Sequence, residues 1–149
     1  MASKQAAKGS RAEYKARDML RKYTGLQWER CPASGALGAQ FKMKGDLYCP
    51  GEKNLYTVEC KHYKDDHLSS KILVNSTSPL FDWWEQTVRE SGQNENKPIL
   101  IYKYDRSKFF IATEEIFDAP NHLYISSLDI FVYPLEPFLQ QNNITRWIK

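Results

Sequence analysis

The sequence predicts an α/β fold, a central mixed β-sheet flanked by helices, and three observations carry that reading. Two stretches, SRAEYKARDMLRKYTG and SPLFDWWEQTVRES, repeat their apolar residues at helical spacing. Between and after them lie short runs of strand character, among them FKMKGDLYC, NLYTVECKHY, PILIYKY and KFFIATEEI. The order helix, strand, hairpin, helix, hairpin then builds one mixed sheet with helices against it.

A chain of 149 residues suits one domain with a real core. No repeat, low-complexity block or Pro/Gly/Ser linker divides it, so the expected organisation is a flexible basic tail over 1–8 and a single domain over 9–149. With 42% hydrophobic and 26% charged residues the composition excludes intrinsic disorder. No apolar run approaches the roughly 18 residues of a membrane span, and MASKQAAKGS has no signal-like apolar core. A soluble, intracellular (cytoplasmic) protein without a membrane partner is expected. Cys31, Cys49 and Cys60 form no C-x-x-C and leave an odd thiol over, which predicts free, buried thiols. Charge is uneven: the first 22 residues hold seven Lys or Arg against Glu13 and Asp18, a net +5, so the remainder carries −2 of the total +3. A basic end suits a phosphate-bearing partner, although a solvated helix face gives the same pattern.

In chain order, Ser10 can cap the first helix with Glu13 completing a capping box, and Gly25 can close it. Ala12, Ala16, Met19, Leu20 and Tyr23 form its apolar stripe. LQWERCP reads as a short strand and ASGALGAQ as a loop to about Gln40. FKMKGDLYC and NLYTVECKHY flank the turn PGEKN as a hairpin, and KDDHLSSKILVNST follows as a surface loop. Ser78 caps the second helix, Pro79 occupies its first position, and the helix ends before Gly92. PILIYKY and KFFIATEEI pair around a DRS turn, and an isolated strand is expected near Leu128 to Tyr133.

The hairpin carries the chemistry. Residues i and i+2 of a strand share a face, so Glu59 and Lys61 point one way and Val58, Cys60 and His62 the other. With Gly51 to Asn54 as the loop, Asp46 falls opposite Glu59; two facing carboxylates call for a cation, and a hard ion such as Mg²⁺ takes oxygen ligands of this kind. Lys61 could then orient or deprotonate a water that attacks a phosphate. A loop shifted by one residue sets Asp46 opposite Lys61 instead, an exposed ion pair contributing at most about 1 kcal/mol.

KGSRAEYKARDMLRKYTGLQWERCPASG, followed by KGDLYC and TVECK, resembles the archaeal-type Holliday junction resolvases of the PD-(D/E)XK nuclease superfamily, in consistent order from Lys8 to about Lys61. The resemblance implies a restriction-endonuclease-like core and a metal-dependent endonuclease that resolves four-way DNA junctions by phosphodiester hydrolysis. It also implies Mg²⁺, with Mn²⁺ as substitute, branched DNA as partner, and a homodimer. By position, Glu13 is its helical acid, Ser34 its loop serine, Asp46 and Glu59 its metal ligands with Glu13, and Lys61 its water-activating lysine. Lys8, Arg11, Arg30 and Lys44 would contact DNA. Residues 64–78 and the tail from Asp118 depart from the common core, which leaves substrate choice open. A restriction-like or repair endonuclease of the same superfamily, or an inactive DNA-binding module on this fold, are the alternatives.

Each residue also has an ordinary reading. Glu13 could serve the capping box or pair with Arg17, Ser34 could stabilise a turn, and Arg30 could be a surface arginine. His62 reads as structural, and His67 beside Asp65 and Asp66 lacks the spacing of a metal site. Trp83 and Trp84 read as core or dimer contacts rather than as base-stacking platforms. Gln86, on the polar side of the second helix, could face the site. Lys103, Arg106 and Lys108 on the second turn could touch phosphates.

Overall fold

The computed structural model of the chain describes residues 4–31, 45–64 and 78–141. Its elements are α1 (Lys4–Thr24), β1 (Glu29–Arg30), β2 (Leu47–Tyr48), β3 (Tyr56–Tyr63), α2 (Pro79–Gln93), β4 (Lys97–Tyr104), β5 (Phe110–Thr113), β6 (Leu123–Ile125), β7 (Ile130–Pro134) and α3 (Leu135–Gln141). The strands form one sheet in the order β1-β2-β3-β4-β5-β7-β6. Only β3 and β4 pair in parallel; every other described pair is antiparallel, so the sheet is mixed as the sequence predicts.

The parallel pair exists because α2 carries the chain between β3 and β4, and a strand covered on both faces must be apolar on both. In β4 the alternation is direct: Ile99 and Ile101 join Ala12, Ala16 and Leu20 of α1, whereas Leu100 and Tyr102 join Leu80, Trp83 and Trp84 of α2. Both tryptophans are therefore core, the first of the two readings the sequence allowed. Each fully buried aliphatic side chain in these layers contributes about 1.5–3 kcal/mol against exposure.

Ser78 caps α2 through a 3.4 Å bond from the Leu80 amide, with Pro79 at the first turn. That helix continues to Gln93, past Gly92, and Glu95 makes the positive-φ exit. The start of α1 differs from the prediction. Lys4 to Lys8, expected as loose tail, are helical, and Ser10 lies inside the helix, where it cannot cap. KQAAK is built of strong helix formers, and Lys8 is tied to Asp105 at 3.0 Å, so one favourable turn outweighs the capping signal.

The tail also differs. The strand near Leu128 is not isolated: β7 pairs with β5 on one side and with β6 on the other, across a turn closed by Asp129 at φ 53°. In α3, Leu135, Phe138 and Leu139 share the i, i+3, i+4 spacing and are all buried, with Pro137 tolerated in the first turn.

Candidate active site

β2 and β3 meet antiparallel with Leu47 opposite Val58. Continued by one residue, that register sets Asp46 across from Glu59, the first of the two alignments the sequence allows. The Asp46 backbone is fixed from both sides, its amide donating to Val58 O and its carbonyl accepting from Cys31, each at 2.8 Å. Its carboxylate Oδ2 accepts the Cys60 amide at 2.7 Å.

Gly45 makes this approach possible. It holds φ +99°, and a Cβ there would come within 2.8 Å of Thr57 Cγ2 and 3.2 Å of Val58 O. Gly45→Ala is expected to lower the melting temperature by about 5–10 °C, from backbone strain and a clash at the strand junction. A differential scanning fluorimetry comparison with Gly51→Ala, whose positive φ carries no such crowding, separates the clash from the strain.

Glu13, Asp46, Glu59 and Lys61 line one cleft of about 320 Å³, together with Gly9, Ser10, Cys60, His62, Tyr63 and Gln86. α1 supplies Glu13, β3 supplies Glu59 and Lys61 on the face toward α2, and α2 supplies Gln86. Glu59 is 3% exposed. Burial, then a hydrogen bond with Glu90 and the charge of Asp46, push its carboxyl up to about 11. Glu13 is pushed up to about 7, chiefly by burial and then by Asp46, against the opposing pull of Arg30. The thiols beside the site are held in the protonated form: burial pushes Cys31, half-buried, up to about 12 and Cys60 well above its ordinary value.

Two partners were not legible in the sequence. Glu90, one turn beyond Gln86 on α2, comes against Glu59. Two acids hydrogen-bond only when one is protonated, and the buried Glu90 Oε2 has no partner among the described residues. Gln86 Nε2 reaches Glu90 Oε1 at 3.4 Å; the i, i+4 spacing of these two polar residues beside the tryptophan face was the available signal. Arg30, expected as a phosphate contact or surface arginine, donates to Glu13 Oε2 at 2.7 Å and to Tyr14 Oη at 3.0 Å, and stacks on the Tyr14 ring.

Glu13 is thus engaged by an arginine, and among the described residues no three His, Cys, Asp or Glu side chains form a ready cation cage. The facing pair Asp46 and Glu59 shares the cleft with Glu13, whose carboxyl meets Asp46 as well as Arg30. Lys8 pairs with Asp105, and Arg11 is exposed. Ser34, Lys44 and His67 lie outside the described residues. His62 faces Asp105 at 2.9 Å. No described helix is long and apolar enough to cross a membrane.

The sequence family agrees with this geometry. A family model described as "Phage putative PDDEXK endonuclease" matches residues 4–133. The chain belongs to this phage PD-(D/E)XK endonuclease family. It is also 39% identical over 160 residues to Protein D14 of Escherichia phage T5, covering 100% of both chains. No solved structure matches. The family assignment accounts for the mixed sheet and for Asp46, just before β2, meeting Glu59 of β3, and PD-(D/E)XK nucleases generally use divalent metal ions.

Proposed function

We propose that the protein is a Mg²⁺-dependent endonuclease that hydrolyses DNA phosphodiesters, with branched DNA, four-way junctions above all, as substrate and two copies acting on one junction. The observation that carries the chemistry is the facing of Asp46 and Glu59 in a cleft that also holds Lys61. Carboxylates crowded enough to keep a proton on Glu59 to about pH 11 are a donor set that a divalent ion neutralises equally well. Mg²⁺ needs only one or two carboxylates when water and phosphate complete its shell, so Asp46 and Glu59 suffice as direct ligands. Mn²⁺ fits the same oxygens.

When bound, the cation supplies neutralisation of charge developing on the scissile phosphate. The remaining work belongs to the chain. Lys61, two residues from Glu59 on the same strand face, holds the attacking water so that its oxygen forms the new P–O bond as the bond to the leaving sugar oxygen breaks. Glu13 acts through Arg30: the pair keeps a cationic group at the cleft wall while limiting excess negative charge beside the substrate. Gln86 and Glu90 hold Glu59 in place from α2. Ser34 completes the active site, as the resolvase resemblance implies, and Lys44 and the exposed Arg11 contact DNA phosphates.

The test is cleavage of synthetic four-way, three-way and linear DNA in Mg²⁺, parent against Lys61→Ala. Faster cleavage of the four-way substrate, with Lys61→Ala slowed about 10²–10⁴-fold, is the expected result. Equal rates on all three would replace the junction reading by the restriction-like one, and an unaffected lysine variant would remove Lys61 from the chemistry.

A further inference from the structure

Beside His62, which lines the cleft, the proposed hydrolysis leaves a polar cluster unused. Lys8 Nζ lies 2.9 and 3.0 Å from the two carboxylate oxygens of Asp105, and His62 Nε2 lies 2.9 Å from Oδ1 of the same group. The side chains of Lys8 and His62 are only 19% and 15% exposed, whereas that of Asp105 is 39% exposed. The lysine and the imidazole are therefore largely buried, and the carboxylate is the most exposed of the three side chains. Three separate elements meet here: Lys8 from α1, His62 from the end of β3, and Asp105 from the turn after β4.

The charge around the cluster is lopsided. Lys103 acts on His62, and Lys15 acts on Lys103, each lowering its neighbour's affinity for a proton after burial has done most of it; Asp105 is the acid that opposes both. The adjoining wall is Gly9, where a Cβ would meet nothing within 4 Å, so the backbone beside Lys8 is open to a close approach. The turn holds the carboxylate in position: the Asp105 amide bonds Tyr63 O at 2.9 Å, and Arg106 follows at φ 64°.

A carboxylate that accepts from a lysine and lies against a histidine nitrogen in this way is a fair copy of a phosphate oxygen pair. Resting on the nuclease reading above, we propose that Lys8 and His62 form a subsite for a DNA phosphodiester next to the scissile one, and that Asp105 occupies it in the free protein. DNA entering the cleft displaces the Asp105 carboxylate, which swings toward solvent. Asp105 then competes with every DNA for this subsite, and its removal tightens binding of each.

The inference is tested by binding, in EDTA so that no strand is cut, using fluorescence anisotropy of a labelled four-way junction at several salt concentrations. Asp105→Asn is expected to tighten binding about 3–10-fold, and Lys8→Gln to weaken it by a similar factor and to lower the salt slope by about one. A purely structural staple between α1 and the turn predicts the opposite sign for Asp105→Asn, since both variants would loosen the same contact and both would lose affinity. Weaker or unchanged binding by Asp105→Asn overturns the proposal. If that variant does not fold, as read from its melting curve, the Lys8→Gln arm decides alone: an unchanged salt slope overturns the proposal and a slope lowered by one sustains it. Nicking by the parent in Mg²⁺ is scored separately, so a subsite that fails while nicking persists leaves the nuclease reading intact, and a parent that neither binds nor nicks overturns both.

Discussion

Asp46→Asn is expected to reduce Mg²⁺-dependent strand cleavage by at least about 10³-fold while leaving the fold and DNA binding in place. The substitution keeps the shape of the side chain. Its remaining carbonyl oxygen can still accept the Cys60 amide, and the backbone is held independently by Cys31 and Val58. What disappears is one formal charge, half of the facing pair that would hold the cation. Removing a negative group beside incoming phosphates should, if anything, tighten DNA binding slightly. A gel assay of supercoiled plasmid nicking, run beside anisotropy in EDTA, reads both quantities. Cleavage retained within about tenfold would exclude Asp46 as a ligand. A parent that binds DNA but never nicks it would instead support an inactive binding module on this fold.

The parts of the fold that were legible in the sequence are those specified by short-range chemistry. Pro50-Gly51 fixed the hairpin loop, and with it the register that brings Asp46 to Glu59. Ser78-Pro79 fixed the start of α2. The uninterrupted apolar run in β4 reflects helices on both of its faces. Ser10 misled because a capping signal competes with whatever precedes it, and the Lys8 contact to a turn nearly 100 residues away has no local trace. The same holds at the site. Asp46, Glu59 and Lys61 could be grouped because one hairpin contains them. Arg30 against Glu13, and Glu90 against Glu59, depend on how α1 and α2 lie across the sheet, which no spacing rule encodes. The β6–β7 hairpin was obscured for a further reason: SSLD closes it through a positive φ at Asp129, a residue less diagnostic than glycine.

Glu59→Gln is expected to stabilise the protein when no divalent ion is present, and by an amount that grows with pH. The carboxyl of Glu59 is raised from 4.5 to about 11 in the folded chain by burial, by Glu90 and by Asp46. Between those values the folded state binds more protons than the unfolded one, so stability falls as pH rises through the window; below pH 4.5 the acid is protonated in both states and this penalty vanishes. Glutamine removes the titration, and its amide can donate to Glu90 as the protonated acid does. The variant should therefore match the parent near pH 4.5 and gain on it by up to about 1.4 kcal/mol per pH unit, about 5 kcal/mol and at least roughly 10 °C in melting temperature by pH 8. Glu13, raised to about 7, gives both proteins a similar downward slope between pH 4.5 and 7, so the difference is read most cleanly above pH 7. Mg²⁺ provides the second arm. A cation between Asp46 and Glu59 relieves the same repulsion, so it should stabilise the parent increasingly with pH and stabilise Glu59→Gln far less. A gap that does not widen with pH would mean that Glu59 is not held against its neighbours as described. Equal stabilisation of both proteins by Mg²⁺ would place the ion elsewhere. The expected pattern ties instability to function: the carboxylate crowding that weakens the fold at neutral pH is the feature that makes the cleft a cation site.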